Sequence, residues 1–95
     1  MNQTEAKAVA AAHLATFRQR SYDELTGLIV QPAVTTEIAG PSGVTYRVQI
    51  IAAWDGHERG DVRIMAVVDA GGWSWFAPLS ADSFIMDPSG AFVGE

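Results

Sequence analysis

The sequence predicts an α+β fold, with an N-terminal amphipathic helix and a short second helix packed on a curved antiparallel meander of four to five strands. Three observations predict it. Helix-forming residues with apolar positions every three or four residues are confined to residues 4–31. Alternating apolar residues separated by Gly, Pro, Asp and Ser clusters occupy residues 33–95. The two blocks do not interleave, which favours helices on one side of an antiparallel sheet over repeated β-α-β units. The 95 residues correspond to one domain, and a chain of this size buries about 60–70% of its unfolded surface.

The first helix follows Thr4, a residue type suited to the N-cap, and runs through EAKAVAAAHLATFRQR. Alanine, the strongest helix former, dominates it. Ala6, Val9, Ala10, His13, Leu14 and Phe17 form one apolar stripe. Glu5 near the start and Arg18 and Arg20 near the end suit the helix dipole. Ser21 followed three residues later by Glu24 is a capping box, so a second helix is expected from Tyr22, burying Leu25, Leu28 and Ile29 before Pro32.

Strands follow. AVTTEI, Ala33 to Ile38, leads into a turn at Ala39 to Gly43. In VTYRVQIIAAW, Val44, Tyr46, Val48, Ile50, Ala52 and Trp54 share one face. A polar hairpin loop, Asp55 to Gly60, precedes DVRIMAVVD, with Val62, Ile64, Ala66 and Val68 on the matching face. Closing that loop sets Ala52 opposite Ile64 and Ile50 opposite Ala66. On the other face, Ile51 then meets Met65, Gln49 meets Val67, and Arg47 meets Asp69, an opposite-charge pair. Two registers are open for GGWSWFAPLS. A two-residue turn at Gly71-Gly72 pairs Val68 with Trp75 and turns Trp73 and Trp75 inward. A three-residue loop pairs Val67 with Trp75 and turns both outward, because a one-residue slip reverses every side chain. The unbroken apolar set Trp73, Trp75, Ala77 and Leu79 favours the inward register. Asp82 to Met86 extends this strand or adds another, Asp87 to Gly90 is a tight turn, and Phe92 and Val93 pair back briefly.

Composition narrows the function. With no cysteine there is no disulfide, thiolate nucleophile or cysteine–zinc site. A net charge of −5 without a basic stripe argues against nucleic acid as a partner. No apolar run reaches the ~18 residues of a membrane span, and MNQTEAKAVAAAHLATF lacks the features of a secretory signal. A cytoplasmic location is expected. The loop from Asp55 to Asp61 gathers three carboxylates and His57, but its spacing matches no calcium loop and reads as a solvated hairpin tip. Arg59-Gly60-Asp61 and the sequon Asn2-Gln3-Thr4 have no supporting context. No G-x-S-x-G elbow or glycine-rich phosphate loop is present, and neither a metal nor a cofactor is expected.

A helix, a short helix and then hairpin-linked strands resemble the opening of NTF2-like domains and the cystatin-like arrangement of a helix across a curved sheet. The NTF2-like resemblance implies a pocket under the helix, in which a histidine or carboxylate does acid–base work. From about Val44 to Glu95, runs such as WDG, GDVRIMAVVDAGGW and SFIMDPSGAFVGE also resemble small bacterial proteins of uncharacterised activity, and that resemblance brings no chemistry with it.

Two expectations follow. The first is a non-catalytic, homodimeric protein-interaction module, or the partner of another small protein, using an outer-face patch of Ile51, Met65, Val67 and Phe76. The second is a small NTF2-like pocket, catalytic or ligand-binding, with His13 inside and Tyr46, Trp54 and Trp75 as walls. No catalytic constellation supports the second, so the sequence favours the first.

Overall fold

The computed structural model describes residues 3–69 and 79–95. Two helices, α1 (Gln3–Phe17) and α2 (Tyr22–Gly27), precede four strands: β1 (Val34–Ala39), β2 (Thr45–Asp55), β3 (Asp61–Asp69) and β4 (Leu79–Met86). The strands form one antiparallel sheet in the order β1-β2-β3-β4. This is the expected α+β arrangement.

Both ends of α1 differ from expectation. The helix already includes Gln3, so Thr4 lies within its first turn rather than capping it. It stops at Phe17, before Arg18 and Arg20. The chain there tightens through bonds from the Arg18 amide to the Ala15 carbonyl and from the Arg20 amide to the Phe17 carbonyl. Ser21 must be extended to cap α2, with φ −73° and ψ 162°, and an extended residue cannot continue α1. Ser21 accepts from the Glu24 amide while Glu24 reaches back to the Ser21 amide, completing the capping box read from the sequence.

The apolar stripe of α1 lands on the even-numbered face of β2 and β3. Ala6, Ala10, Leu14 and Phe17 from α1, and Leu25 from α2, share one core with Tyr46, Val48, Ile50, Val62, Ile64, Ala66, Val68, Phe84 and Met86. Ala52 and Trp54 are only half-buried, and Val44 lies outside β2 and is exposed. The β2–β3 register is the expected one, with Ala52 opposite Ile64, Ile51 opposite Met65 and Arg47 opposite Asp69.

The next register is not. Val68 pairs with Leu79 and Val67 with Ser80, where the sequence set Trp75 opposite one or the other. Strand β4 carries one extra residue, Ala81, between Ser80 and Asp82, and this bulge shifts the ladder between Ala66 and Val67. Trp73, Trp75 and Phe76, and the turn expected at Gly71-Gly72, lie outside the described residues. Beyond β4, the Asp87 carboxylate accepts from the Ser89 and Ala91 amides to close the predicted turn, and Phe92 bridges back to Met86.

Candidate interaction face of the sheet

With the even-numbered residues of β2 and β3 under the helices, the odd-numbered ones form the opposite face. Reading along the register, the rows are Arg47 with Asp69, Gln49 with Val67, Ile51 with Met65, Ala53 with Arg63, and Asp55 with Asp61. Strand β1 adds Glu37 beside Arg47 and Thr35 beside Gln49, and β4 adds Ser83 beside Met65 and Ile85 beside Arg63. Ile51, Met65, Val67, Ala53 and Ile85 are each half-buried, shielded by neighbours on the pleated surface. Three of the four residues named from the sequence for this face, Ile51, Met65 and Val67, therefore stand together. Phe76 lies outside the described residues.

Both ends of the apolar stripe carry an ion pair. At one end an Arg47 guanidinium nitrogen lies 3.2 Å from Asp69 Oδ1, and its Nε donates to the same oxygen at 3.3 Å. At the other end the Arg63 guanidinium donates to Asp55 Oδ1 at 2.9 Å. This second pair is diagonal, since Arg63 stands opposite Ala53. It offsets the repulsion between Asp55 and Asp61, which face each other where the hairpin closes. Between the first pair and the apolar centre, Thr35, Arg47, Gln49, Val67 and Asp69 line an open groove of about 210 Å³.

The residues of the pocket expectation are spread apart. Tyr46 and Trp54 are eight residues apart on one strand, about 26 Å at strand rise. Tyr46 is wholly buried, and its hydroxyl donates to Glu5 Oε1 at 2.6 Å. His13 stacks edge-on against Phe17 with ring centroids 5.5 Å apart. Its Nε2 is shielded from water and has no hydrogen-bond partner. Burial, followed by the charge of Arg20, lowers the His13 pKa. Trp75 lies outside the described residues. Neither the sheet-face groove nor two further surface hollows are lined by His13, Tyr46 or Trp54. One hollow, beside Ala8, Val9 and Pro41, lies against α1, and the other lies between Tyr22 and Ser89.

Two clusters had no local sequence signal. Glu5 reaches across from α1 to the β1–β2 turn, where it accepts from the Ser42 hydroxyl at 2.5 Å and the Ser42 amide at 2.9 Å, besides Tyr46. The Ser42 hydroxyl, then the Tyr46 hydroxyl, hold the Glu5 carboxyl below the usual range. Gly40 permits this approach, because a Cβ there would lie 2.9 Å from the Tyr46 ring and 3.0 Å from the Glu5 carboxyl carbon. At the other end of α1, the Arg18 guanidinium sits 5.1 Å from the Phe84 ring centroid and 4.8 Å from that of Phe92, and it pairs with Glu95 at 2.7 Å.

Among the described residues, no three His, Asp, Glu or Cys side chains converge as metal ligands would. No helix among them is long and apolar enough to cross a membrane. Comparison with protein-family models, curated proteins and solved structures finds no match to the chain.

Proposed function

We propose that this chain is a non-catalytic protein-interaction module that acts as a homodimer through the odd-numbered face of its sheet. One observation carries the reading: Ile51, Met65 and Val67 lie adjacent on the face opposite the helices, with a charged pair at each end. A patch of apolar side chains rimmed by polar ones is the composition of a protein contact surface. Two-fold dimers are the commonest assemblies of identical chains. The acidic charge turns the module away from nucleic acid and towards protein. The lack of cysteine suits work in the reducing cytoplasm.

Sedimentation velocity from about 1 to 200 µM tests the proposal, because a dimer of this kind is governed by mass action. The wild-type chain is expected to move from one-chain to two-chain mass across that range. Ile51→Asp, which sets a charge in the middle of the patch, is expected to stay at one-chain mass while keeping its circular dichroism. A wild-type chain at one-chain mass throughout overturns the dimer and returns attention to the pocket reading built on His13.

A further inference from the structure

We propose that the free edge of β1 pairs antiparallel with the β1 edge of a second copy, in the register that sets Thr36 opposite the partner's Thr36. This contact uses a surface that the sheet-face dimer leaves open, so it goes beyond that reading and does not rest on it. The two edges of the sheet differ. At β4, the Val93 amide donates to the Ile85 carbonyl at 2.8 Å and Phe92 bridges to Met86, so the last residues cover part of that edge. At β1, no strand among the described residues pairs on the outer side. Neither helix covers it, since α1 packs chiefly over β3 and β4, and α2 over β2 and β3. The strand VTTEIA holds no lysine, proline or bulge, devices that keep an edge from pairing.

The turn after β1 fixes which backbone groups are free. The Gly40 amide donates to the Val44 carbonyl, so Gly40 directs its backbone groups at the neighbouring chain segment. Along an antiparallel ladder this alternates. Ile38, Thr36 and Val34 therefore bond to β2, and the amides and carbonyls of Thr35, Glu37 and Ala39 point away from the sheet. Such a row is a template for one more strand. A two-fold axis normal to the sheet brings two copies together antiparallel at this edge, with the helices of both on the same side. Only registers that set odd-numbered residues opposite odd-numbered ones use the free groups, and two of these overlap most of β1. One centres on Glu37 and opposes two carboxylates, which is destabilising. The other centres on Thr36. It sets threonine against threonine, Val34 against the partner's Ile38, and Thr35 against the partner's Glu37, with no like charges opposed.

The two ends of β1 fit a second copy rather than an arbitrary extended segment. Shortly before the strand, Val30 is 88% exposed. Shortly after it, Pro41 joins Ala8, Val9 and Ala12 of α1 along an apolar hollow of about 460 Å³. Antiparallel pairing centred on Thr36 sets the start of one β1 beside the end of the other. Each copy's Val30 then approaches the other's hollow, and the two contacts flank the axis. An apolar knob at one end of a strand and an apolar hollow at the other become complementary when that strand pairs antiparallel with itself. The strand pair is short, and an isolated pair of strands is marginal in water. The edge contact is therefore the weaker of the two and populates above the concentrations at which the face dimer forms.

Cysteine trapping tests the inference, because the chain has no cysteine of its own. In the proposed register Thr36 and the partner's Thr36 form a non-hydrogen-bonded pair with Cα atoms about 4.5 Å apart, within the ~4.4–6.8 Å span of a disulfide. Ala39 is the more exposed of the two on the same edge, but it lies about 20 Å from the partner's Ala39. The Ile51→Asp chain carries the cysteines, so that the sheet face contributes nothing. Under mild oxidation at equal concentration, Thr36→Cys is expected to form disulfide dimers at least about tenfold faster than Ala39→Cys. Equal rates overturn the inference. Adding Glu37→Pro, which removes an amide that β2 does not use, is expected to bring Thr36→Cys down to the Ala39→Cys rate. A rate unchanged by Glu37→Pro overturns the edge pairing. Adding Val30→Asp, which sets a charge at the hollow, is expected to slow trapping at least about threefold, and an unchanged rate overturns the seating of Val30. Trapping of Thr36→Cys together with wild-type sedimentation at one-chain mass supports the edge contact and overturns the face dimer alone. If Thr36→Cys does not fold, amide spectra of the Ile51→Asp chain from about 0.1 to 2 mM take its place. The Thr35 and Glu37 amides are expected to shift with concentration, and fixed positions overturn the inference.

Discussion

His13 occupies the buried stripe of α1 with its Nε2 unpartnered, beside Phe17 and near Arg20. An imidazole so placed is held neutral, and protonation would add a charge where burial and Arg20 both oppose it. With its folded pKa below the ordinary 6.5, this group favours folding above 6.5, and that contribution is lost as pH falls through the folded value. His13→Leu is expected to be neutral or slightly stabilising at pH 7, since it removes an unsatisfied buried nitrogen. It should also flatten the loss of stability as pH falls below 6.5. Urea midpoints across that range check both points. A loss beyond about 2 kcal/mol at pH 7 would instead reveal a hydrogen bond that the ring makes in solution.

The elements were legible where the determinants are local. The β2–β3 register follows from two alternating runs joined by one short polar loop, which leaves a single way to put both apolar sets on one side. The start of α2 follows from Ser21 and Glu24 alone. Ser21→Ala is therefore expected to lower stability by about 1 kcal/mol and Ser21→Asp to retain most of it, as an N-cap exchange does. Equal urea midpoints for Ser21→Ala and wild type would contradict that role. The β3–β4 register was not legible: Val68 meets Leu79, four residues beyond Trp75, so the connection is longer than the tight glycine turn the sequence suggested, and Ala81 then adds one more residue that only the partner strand reveals. The end of α1 was missed for a related reason. Helix propensity favours continuing through Arg18 and Arg20, but the extended conformation that Ser21 needs decides otherwise.

At the scale of the whole molecule, the candidate face was readable as far as the sheet register carried it. Ile51, Met65, Val67 and the pair Arg47–Asp69 follow from β2–β3 pairing, whereas Arg63–Asp55 needs the diagonal reach of a long side chain. Contacts between the chain's two ends were invisible, since nothing near Arg18 in sequence announces Phe84, Phe92 or Glu95. Arg18 was expected to serve the dipole of α1. Instead it joins the end of that helix to the last turn of the chain, 77 residues away, through two aromatic rings and a carboxylate. The Phe84 and Phe92 rings meet edge to face at 5.6 Å, so the cation lies against a preformed aromatic pair. The pairing with Glu95 is partly exposed and weak by itself. The stacking on Phe92 is the part that should register as coupling. A double-mutant cycle with Arg18→Met and Phe92→Leu keeps apolar bulk at both sites while removing the cation and the ring. The coupling is expected to be about 0.5–1 kcal/mol, the range for a cation over an aromatic face near the surface. Urea unfolding of the four proteins measures it. Strict additivity would mean that Arg18 only covers the rings, and that Met86 pairing with Phe92 holds the tail to the sheet without it.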